Sequence, residues 1–381
     1  MHASSHLPHA AEGNTQSAGQ AIDDSQGRVF PCDRCGADLV FDIGVQQMKC
    51  PYCGDVKQIE LPEGQNVLEQ DFHEMLARLS ELRLKGVTQE AKTQEIRCEA
   101  CGGTAVFTGT LTSSECPYCA TPIQRENIHD SPQRVPVDGV LPFRIDHDTA
   151  QENLKRWVQS RWFAPNRFRR RGVKGAFNGV YLPFWTFDSL TFNRYSGQRG
   201  DHYYVEVKRG DQTHRERRTR WSSASGSFQR FFDDVMVLAT EGLPKKQMLA
   251  LEPWPLAECV PFNQQMLAGF LARTYDVELE PGFEDARERI DAAIASDVRR
   301  RIGGDEQRVD SIDTHYGAIT FKHLLLPTWI MAYRFHEKSY QVMVNATTGE
   351  VQGDRPYSWV KITFAVLCAL AVVLGIVALS R

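Results

Sequence analysis

Three catalytic signatures are missing from this chain. It has no Gly-x-x-x-x-Gly-Lys-Ser/Thr phosphate loop, which excludes an ATP-driven motor. It has no His-Glu-x-x-His and no Gly-x-Ser-x-Gly, so neither a zincin site nor a nucleophile elbow is encoded. It also lacks a charge excess: 44 basic residues against 48 acidic ones give a formal net charge of -4. Nothing pulls the whole chain toward nucleic acid, and local basic runs have to carry any such argument. The start is without an apolar run. Residues 1–28 are rich in His, Ser, Ala, Gly and Gln, which reads as a disordered tail and not as a secretory signal.

What is present is ordinary in bulk and unusual in pattern. The 381 residues are 42% hydrophobic and 24% charged, enough for one large domain or two to three modest ones. Eight of the ten cysteines fall in four Cys-x-x-Cys pairs, and Cys259 and Cys368 stand alone. The first set is Cys32, Cys35, Cys50 and Cys53; the second is Cys98, Cys101, Cys116 and Cys119. The two sets are offset by 66 residues throughout, and each closes on Cys-Pro-Tyr-Cys. A Cys-x-x-Cys turn puts two sulfurs on one side of an ion, and a hairpin brings a second such turn back to complete a tetrahedral shell. Two four-cysteine zinc ribbons are therefore expected, one Zn2+ each and two per chain. Four thiolates also bind iron, the competing metal. With four protein ligands there is no position for water, so these are structural sites. Thiolate ligands favour a reducing compartment.

Ile362–Leu379 is an uninterrupted apolar run. Eighteen residues at about 1.5 Å each span ~27 Å, close to a hydrocarbon core of about 30 Å. Tyr357 and Trp359 suit the interface, and Lys361 can snorkel. A single-pass helix in the cell inner membrane is expected, with the thiol-rich body on the cytoplasmic side. Ala371 and Gly375 have the spacing by which membrane helices pair, which leaves a homo-oligomer open.

The expected organisation is α+β: a tail at 1–28, ribbons at 29–61 and 96–129, an amphipathic helical linker at 62–95, an α+β body at 130–353, a juxtamembrane segment at 354–361 and the membrane helix at 362–379. In the linker Leu68, Phe72, Leu76, Leu79 and Leu82 form one helical face, for its own domain or for a partner. In the body, helices are expected near Thr149–Phe163 and Phe283–Ile302. Strands are expected over Val180–Phe192, broken near Asp188, and over Tyr203–Lys208, Thr320–Arg334 and Ser339–Asn345. Phe228–Leu238 reads as short and mixed. Leu182-Pro-Phe-Trp185 is echoed by Leu326-Pro-Thr-Trp329, a hint of internal duplication, each proline expected at a strand start or edge and each tryptophan in the core. Asp188, His202, Glu206, His214, His315 and His323 read as surface or loop groups. Two basic clusters, 167–174 and 208–220, are interleaved with aromatics, a composition shared by solvated faces, anionic-lipid contacts and single-stranded nucleic-acid sites.

The paired ribbons and their Cys-Pro-Tyr-Cys closure resemble the bacterial TFIIB-type zinc-ribbon proteins. Residues Val180–Asp188, Leu325–Trp329 and Asn345–Pro356 resemble the body of the membrane-anchored subset, and the likeness runs over roughly residues 30–381. Such proteins are often labelled primosomal or replication-restart helicase-like. The missing phosphate loop argues against carrying helicase activity over. The resemblance implies zinc binding, membrane attachment and, by its link to membrane stress of the phage-shock type, recruitment of other proteins. The expected function is a membrane-tethered adaptor and not an enzyme; the alternative is a membrane-associated nucleic-acid-binding protein without helicase activity.

Overall fold

The computed structural model describes residues 30, 32–37, 39–59, 66–84, 94–97, 104–107, 114–115, 122–123, 128–129, 135–166, 177–209, 212–335 and 338–379. The expected tail, the cysteines of the second set and the basic cluster at 167–174 lie outside the described residues. Among the described residues the fold is α+β, with one four-cysteine cluster near the start and one helix of membrane-spanning character near the end.

The first described strands are β1 (Val40–Asp42), β2 (Gln47–Lys49) and β3 (Val56–Lys57), an antiparallel sheet in the order β1-β2-β3. Strand β4 (Gln70–Asp71) leads into helix α1 (Phe72–Leu84). Short strands β5 (Gln94–Arg97), β6 (Thr104–Phe107), β7 (Ser114–Glu115), β8 (Pro122–Ile123), β9 (Ile128–His129) and β10 (Gly139–Val140) follow. Helix α2 (His147–Ser160) starts on Asp146, whose carboxylate accepts from the Thr149 N–H at 2.7 Å, an N-cap.

Three long strands then dominate: β11 (Phe177–Arg209), β12 (Gln212–Leu238) and β15 (Glu306–Phe335). Strand β11 is central, antiparallel to both neighbours. Between β12 and β15 come α3 (Lys245–Leu249), β13 (Val260–Pro261), β14 (Leu271–Ala272) and α4 (Leu279–Ile302). The body closes with β16 (Lys338–Asn345) and β17 (Val351–Gly353), and α5 (Trp359–Leu379) follows.

The sheet changes width along its length. Near Val180–Leu182 it is broad: β11 is flanked by β14 and β15, and β15 meets β10 and β16 on its other edge. Side chains alternate there between two buried faces, with Tyr181 in one cluster and Val180, Leu182 and Phe184 in another. Trp185, Phe187 and Phe321 form a third cluster with α1 and the first half of α4. Each such ring removes roughly 150–250 Å² from water, about 4–6 kcal/mol at 25 cal/mol per Å². This end is the folding core. Gly282 of α4 sits directly on Trp185, where a Cβ would come within 2.6 Å of the indole, so only glycine permits this approach of helix to sheet. Farther along, the ribbon narrows to β12-β11-β15 with the second half of α4 on one face, through Ile290, Ile294, Val298 and Ile302.

Several expectations are corrected here. The expected break near Asp188 is absent: β11 runs through, and the irregularity is a bulge of β12, where Asp233 and Asp234 together face Asp188. The mixed segment 228–238 is part of β12. The two prolines are not at strand starts: Leu182 and Leu326 pair directly, putting Pro183 and Pro327 in strand interiors. Each stands one residue outside a neighbouring ladder, since β12 pairing begins at Phe184 and β16 pairing at Thr328, and a missing N–H is tolerated at such a place. Both tryptophans are core residues, as expected. In the linker, α1 buries Phe72, Met75 and Leu79 against the body, and Leu68 and Leu84 are exposed.

Candidate metal centre and membrane helix

The first cysteine set comes together. The four sulfurs of Cys32, Cys35, Cys50 and Cys53 lie within 4.8 Å of one another. Cys32 and Cys53 are 3.6 Å apart, and Cys35 and Cys50 are 3.5 Å apart. A tetrahedral shell of four sulfurs with bonds of about 2.3 Å requires sulfur separations of ~3.8 Å, so the donor set fits one ion of the zinc or iron type.

Local backbone explains the geometry. In each Cys-x-x-Cys-Gly turn the glycine N–H returns to the first cysteine carbonyl: Gly36 to Cys32 at 2.8 Å, Gly54 to Cys50 at 3.0 Å. Both glycines have φ of 74°, a left-handed conformation that costs glycine little. Two further bonds close the knuckles, Cys32 N–H to Ala37 O at 2.7 Å and Cys50 N–H to Asp55 O at 2.8 Å. Gly54 is a signal present in the sequence that the cysteine spacing alone does not use. The second set carries Gly102 and Ala120 at the corresponding positions.

Crowding splits the thiols. The Cys53 N–H draws Cys50 down to about 6. At Cys53 the Asp55 N–H lowers the thiol, but desolvation and the three neighbouring sulfurs outweigh it and push it up to about 12. Cys35 is also raised, its Ala37 N–H outweighed by Cys50, Cys32 and desolvation. Four thiolates at these separations require a compensating cation.

The centre is fastened to the body. Phe41 and Met48 are buried in the same cluster as α2 and Tyr181. Phe41 N–H donates to Ala268 O at 3.0 Å, and the Gln46 side chain donates to Phe143 O at 2.8 Å. Outward it presents Tyr52 of Cys-Pro-Tyr-Cys, 82% exposed.

At the other end, α5 holds a long apolar span of 20 residues, Trp359–Ala378, none of it buried against the body. Length and composition are those of a membrane-spanning helix. It is tied to the segment after α2: Lys361 Nζ donates to Trp162 O at 2.9 Å and Ala164 O at 2.8 Å, and Ser358 N–H to Phe163 O at 2.8 Å. Exposed Trp162, Phe163, Tyr357 and Trp359 thus collect around its first turn, an interfacial aromatic collar. The sequence pattern extends the preceding helix through Trp162 and Phe163; α2 ends at Ser160 and frees them.

Asp188 and His323, expected as surface or loop groups, are instead buried within β11 and β15 and belong to a polar cluster. Lys322 Nζ lies 2.8 Å from Asp234, 3.4 Å from Glu69 and 3.9 Å from Asp188. Asp188 is 2% exposed and accepts from the Asp234 N–H at 2.6 Å, which holds the positive-φ residue Asp234 in the β12 bulge. Asp138 accepts from the His323 N–H at 2.7 Å and from the Gln70 side chain. Burial pushes both Asp138 and Asp188 up to about 6. The Lys322 ammonium is raised: burial works against it, but Asp234, Asp188 and Glu69 prevail. The available signal is a lone charge inside each apolar strand, Asp188 after Trp-Thr-Phe and Lys322 before His-Leu-Leu-Leu. The cluster binds β4 and the sheet together. The remaining candidates are dispersed: His202 meets Glu306 at 2.7 Å, His315 stands opposite Phe192, and His323 is buried opposite Trp185.

Comparison with known proteins adds little chemistry. No protein-family model matches the chain, and no solved structure matches it. The chain is similar to the uncharacterized protein YdjG of Bacillus subtilis (strain 168), at 26% identity over 335 residues, which covers 86% of this chain and 90% of the relative.

Proposed function

We propose that this chain is a membrane-tethered zinc-ribbon protein of the TFIIB-type group, an adaptor that recruits other proteins to the cytoplasmic membrane face and is not itself an enzyme. The observation that carries this reading is the closed four-sulfur shell on a chain that also holds a membrane-spanning helix. Such a shell leaves a metal no position for substrate or water, so its product is a rigid surface and not a reaction. That surface presents Tyr52, and aromatic side chains are common anchors of protein interfaces. Between Cys32 and Cys53 the charged residues are Asp33, Arg34, Asp38, Asp42 and Lys49, a net of -1 that does not attract phosphate.

The reading includes a second zinc ion held by Cys98, Cys101, Cys116 and Cys119. Strand register supports it. Met48 pairs with Lys57 and Lys49 with Val56; displaced by 66, Ser114 pairs with Ile123 and Glu115 with Pro122. Two similar surfaces on one chain raise effective affinity for a partner without a new type of contact. Basic residues 167–174 follow the aromatic collar closely in sequence, which suits anionic headgroups. Ala371 and Gly375 suit pairing of two copies.

The test is crosslinking in intact cells followed by purification through the membrane fraction. The expected result is a defined protein partner retained by the native chain and lost with Cys35→Ser/Cys50→Ser, although the variant stays in the membrane. The same partners with both chains, or ribbons digested by protease added outside sealed right-side-out vesicles, would contradict the adaptor reading or its orientation respectively.

A further inference from the structure

Beyond Gly200 the ribbon loses its third strand. Strand β15 begins at Glu306, opposite Gly200, whereas β11 and β12 run on together for nine more pairs, from Asp201–Arg220 to Arg209–Gln212. At about 3.4 Å per pair this hairpin arm is roughly 30 Å long. Helix α4 stops short of it: Ile302, its last residue, lies at the level of Gly197. None of the arm's described side chains is buried. A two-stranded ribbon with no buried side chain contributes little to a core.

The arm carries cations and rings. Directly paired residues share a face. Tyr204 stands opposite Arg217 and Glu206 opposite Arg215 on one face; Tyr203 stands opposite Arg218 and Asp201 opposite Arg220 on the other. The Arg215 guanidinium lies 5.1 Å over the Tyr204 ring, so its donor fork is already oriented. Asp201 is engaged by Arg199 at 3.0 Å and Glu216 by Arg218 at 3.6 Å. Among the described residues, Lys208, Arg215, Arg217 and Arg220 make no ion pair, and cations therefore project from both faces.

The arm is at the other end of β11 from the residues that hold the first turn of the membrane helix. Ala164, which holds Lys361, belongs to the same cluster as Phe177, where β11 begins. From Phe177 to Arg209 the strand has 33 residues, a contour on the order of 100 Å at about 3.3 Å each.

We propose that this arm binds B-form DNA by lying in the major groove. That groove is about 12 Å wide and ~8.5 Å deep, and it admits a two-stranded β-ribbon. Arginines on both faces of the ribbon then meet the phosphates of both groove walls. The deep, narrow major groove of A-form RNA does not admit it. The inference uses the cytoplasmic orientation proposed above, but its test does not: purified full-length chain in nanodiscs of uncharged lipid is titrated against a fluorescent duplex, and an arm variant isolates the arm's share.

With a DNA duplex of about 20 base pairs at about 50 mM salt, micromolar binding is expected, with a log–log salt slope near -4 for roughly four to five phosphates. The variant R215S/R217S/R218S/R220S should bind at least about tenfold more weakly with a flatter slope, and melt as the native chain does, because the arm is outside the core. An RNA duplex of the same sequence should bind at least about tenfold more weakly than DNA. Absence of DNA binding at low salt, equal binding by the variant, or equal binding of DNA and RNA duplexes would overturn the proposal. So would a variant that keeps its DNA affinity and loses only its attachment to anionic vesicles.

Discussion

Replacement of Cys50 by Ser, or chelation of the metal, is expected to release residues 32–57 from their fold while the β11–β12–β15 ribbon stays intact. The three strands of this unit have 3, 3 and 2 residues. So small a sheet cannot bury enough apolar surface to order itself. Apparent binding free energies of structural zinc, about 10–16 kcal/mol near neutral pH, exceed anything the unit's few buried side chains contribute. The loss does not stop at the sulfurs. Phe41 and Met48 belong to the cluster that also holds α2, so the wide end of the sheet should be destabilised by about 2–5 kcal/mol as that packing is lost. Hydrogen exchange and limited proteolysis check this: cleavage should appear between Phe30 and Lys57, with β11 still protected. Unchanged protection of 32–57 after metal removal would contradict it.

Lys322→Met is expected to cost about 1–3 kcal/mol at about pH 8, because it leaves the Asp188 carboxylate buried without its cation, while Glu69 and Asp234 are partly exposed and screened by water. The deficit should shrink at about pH 5. Asp138 and Asp188 stand at about 6 in the folded protein, above the ordinary carboxylate value of about 3.9, so the folded state holds their protons more tightly than the unfolded state. Their contribution to stability therefore falls as pH rises from about 4 through about 6. Without the ammonium both carboxyls move farther up, and the penalty at high pH grows. Glu69 acts in the same sense: burial opposes its ionisation, but Thr320, Asp188 and Lys322 lower it, and part of that stabilisation disappears with Lys322. Urea unfolding of both chains at the two pH values measures the difference. A deficit independent of pH would mean that the lysine acts by packing alone.

The parts of the fold that are legible in the sequence bury one face of a periodic pattern. Leu154, Trp157 and Val158 reveal α2; Ala286, Ile290, Ile294 and Val298 reveal α4; the charge-free run at 362–379 reveals α5. The first metal centre is legible because ligand chemistry requires cysteines at that spacing. Gln212–Ser227 is not legible as a strand. Its Arg- and Ser-rich residues bury almost nothing, and the segment is held by backbone pairing to β11, which leaves no hydrophobic pattern to read. The polar cluster joins Glu69, Asp138, Asp188, Asp234 and Lys322 from five distant segments, and no spacing rule connects them. Leu68, assigned with Phe72 to one apolar face, falls before β4 and is 78% exposed, because α1 begins only at Phe72.

A four-cysteine cluster with the geometry to hold one metal ion and a membrane-spanning helix stand on the same chain. The most direct measurement is the metal content of the chain in membranes washed with alkaline carbonate. The chain should remain in the pellet with stoichiometric zinc, two ions per chain if Cys98, Cys101, Cys116 and Cys119 form the second site and one if they do not. A chain released into the wash, or one retained with its cysteines reduced and no metal, would contradict it.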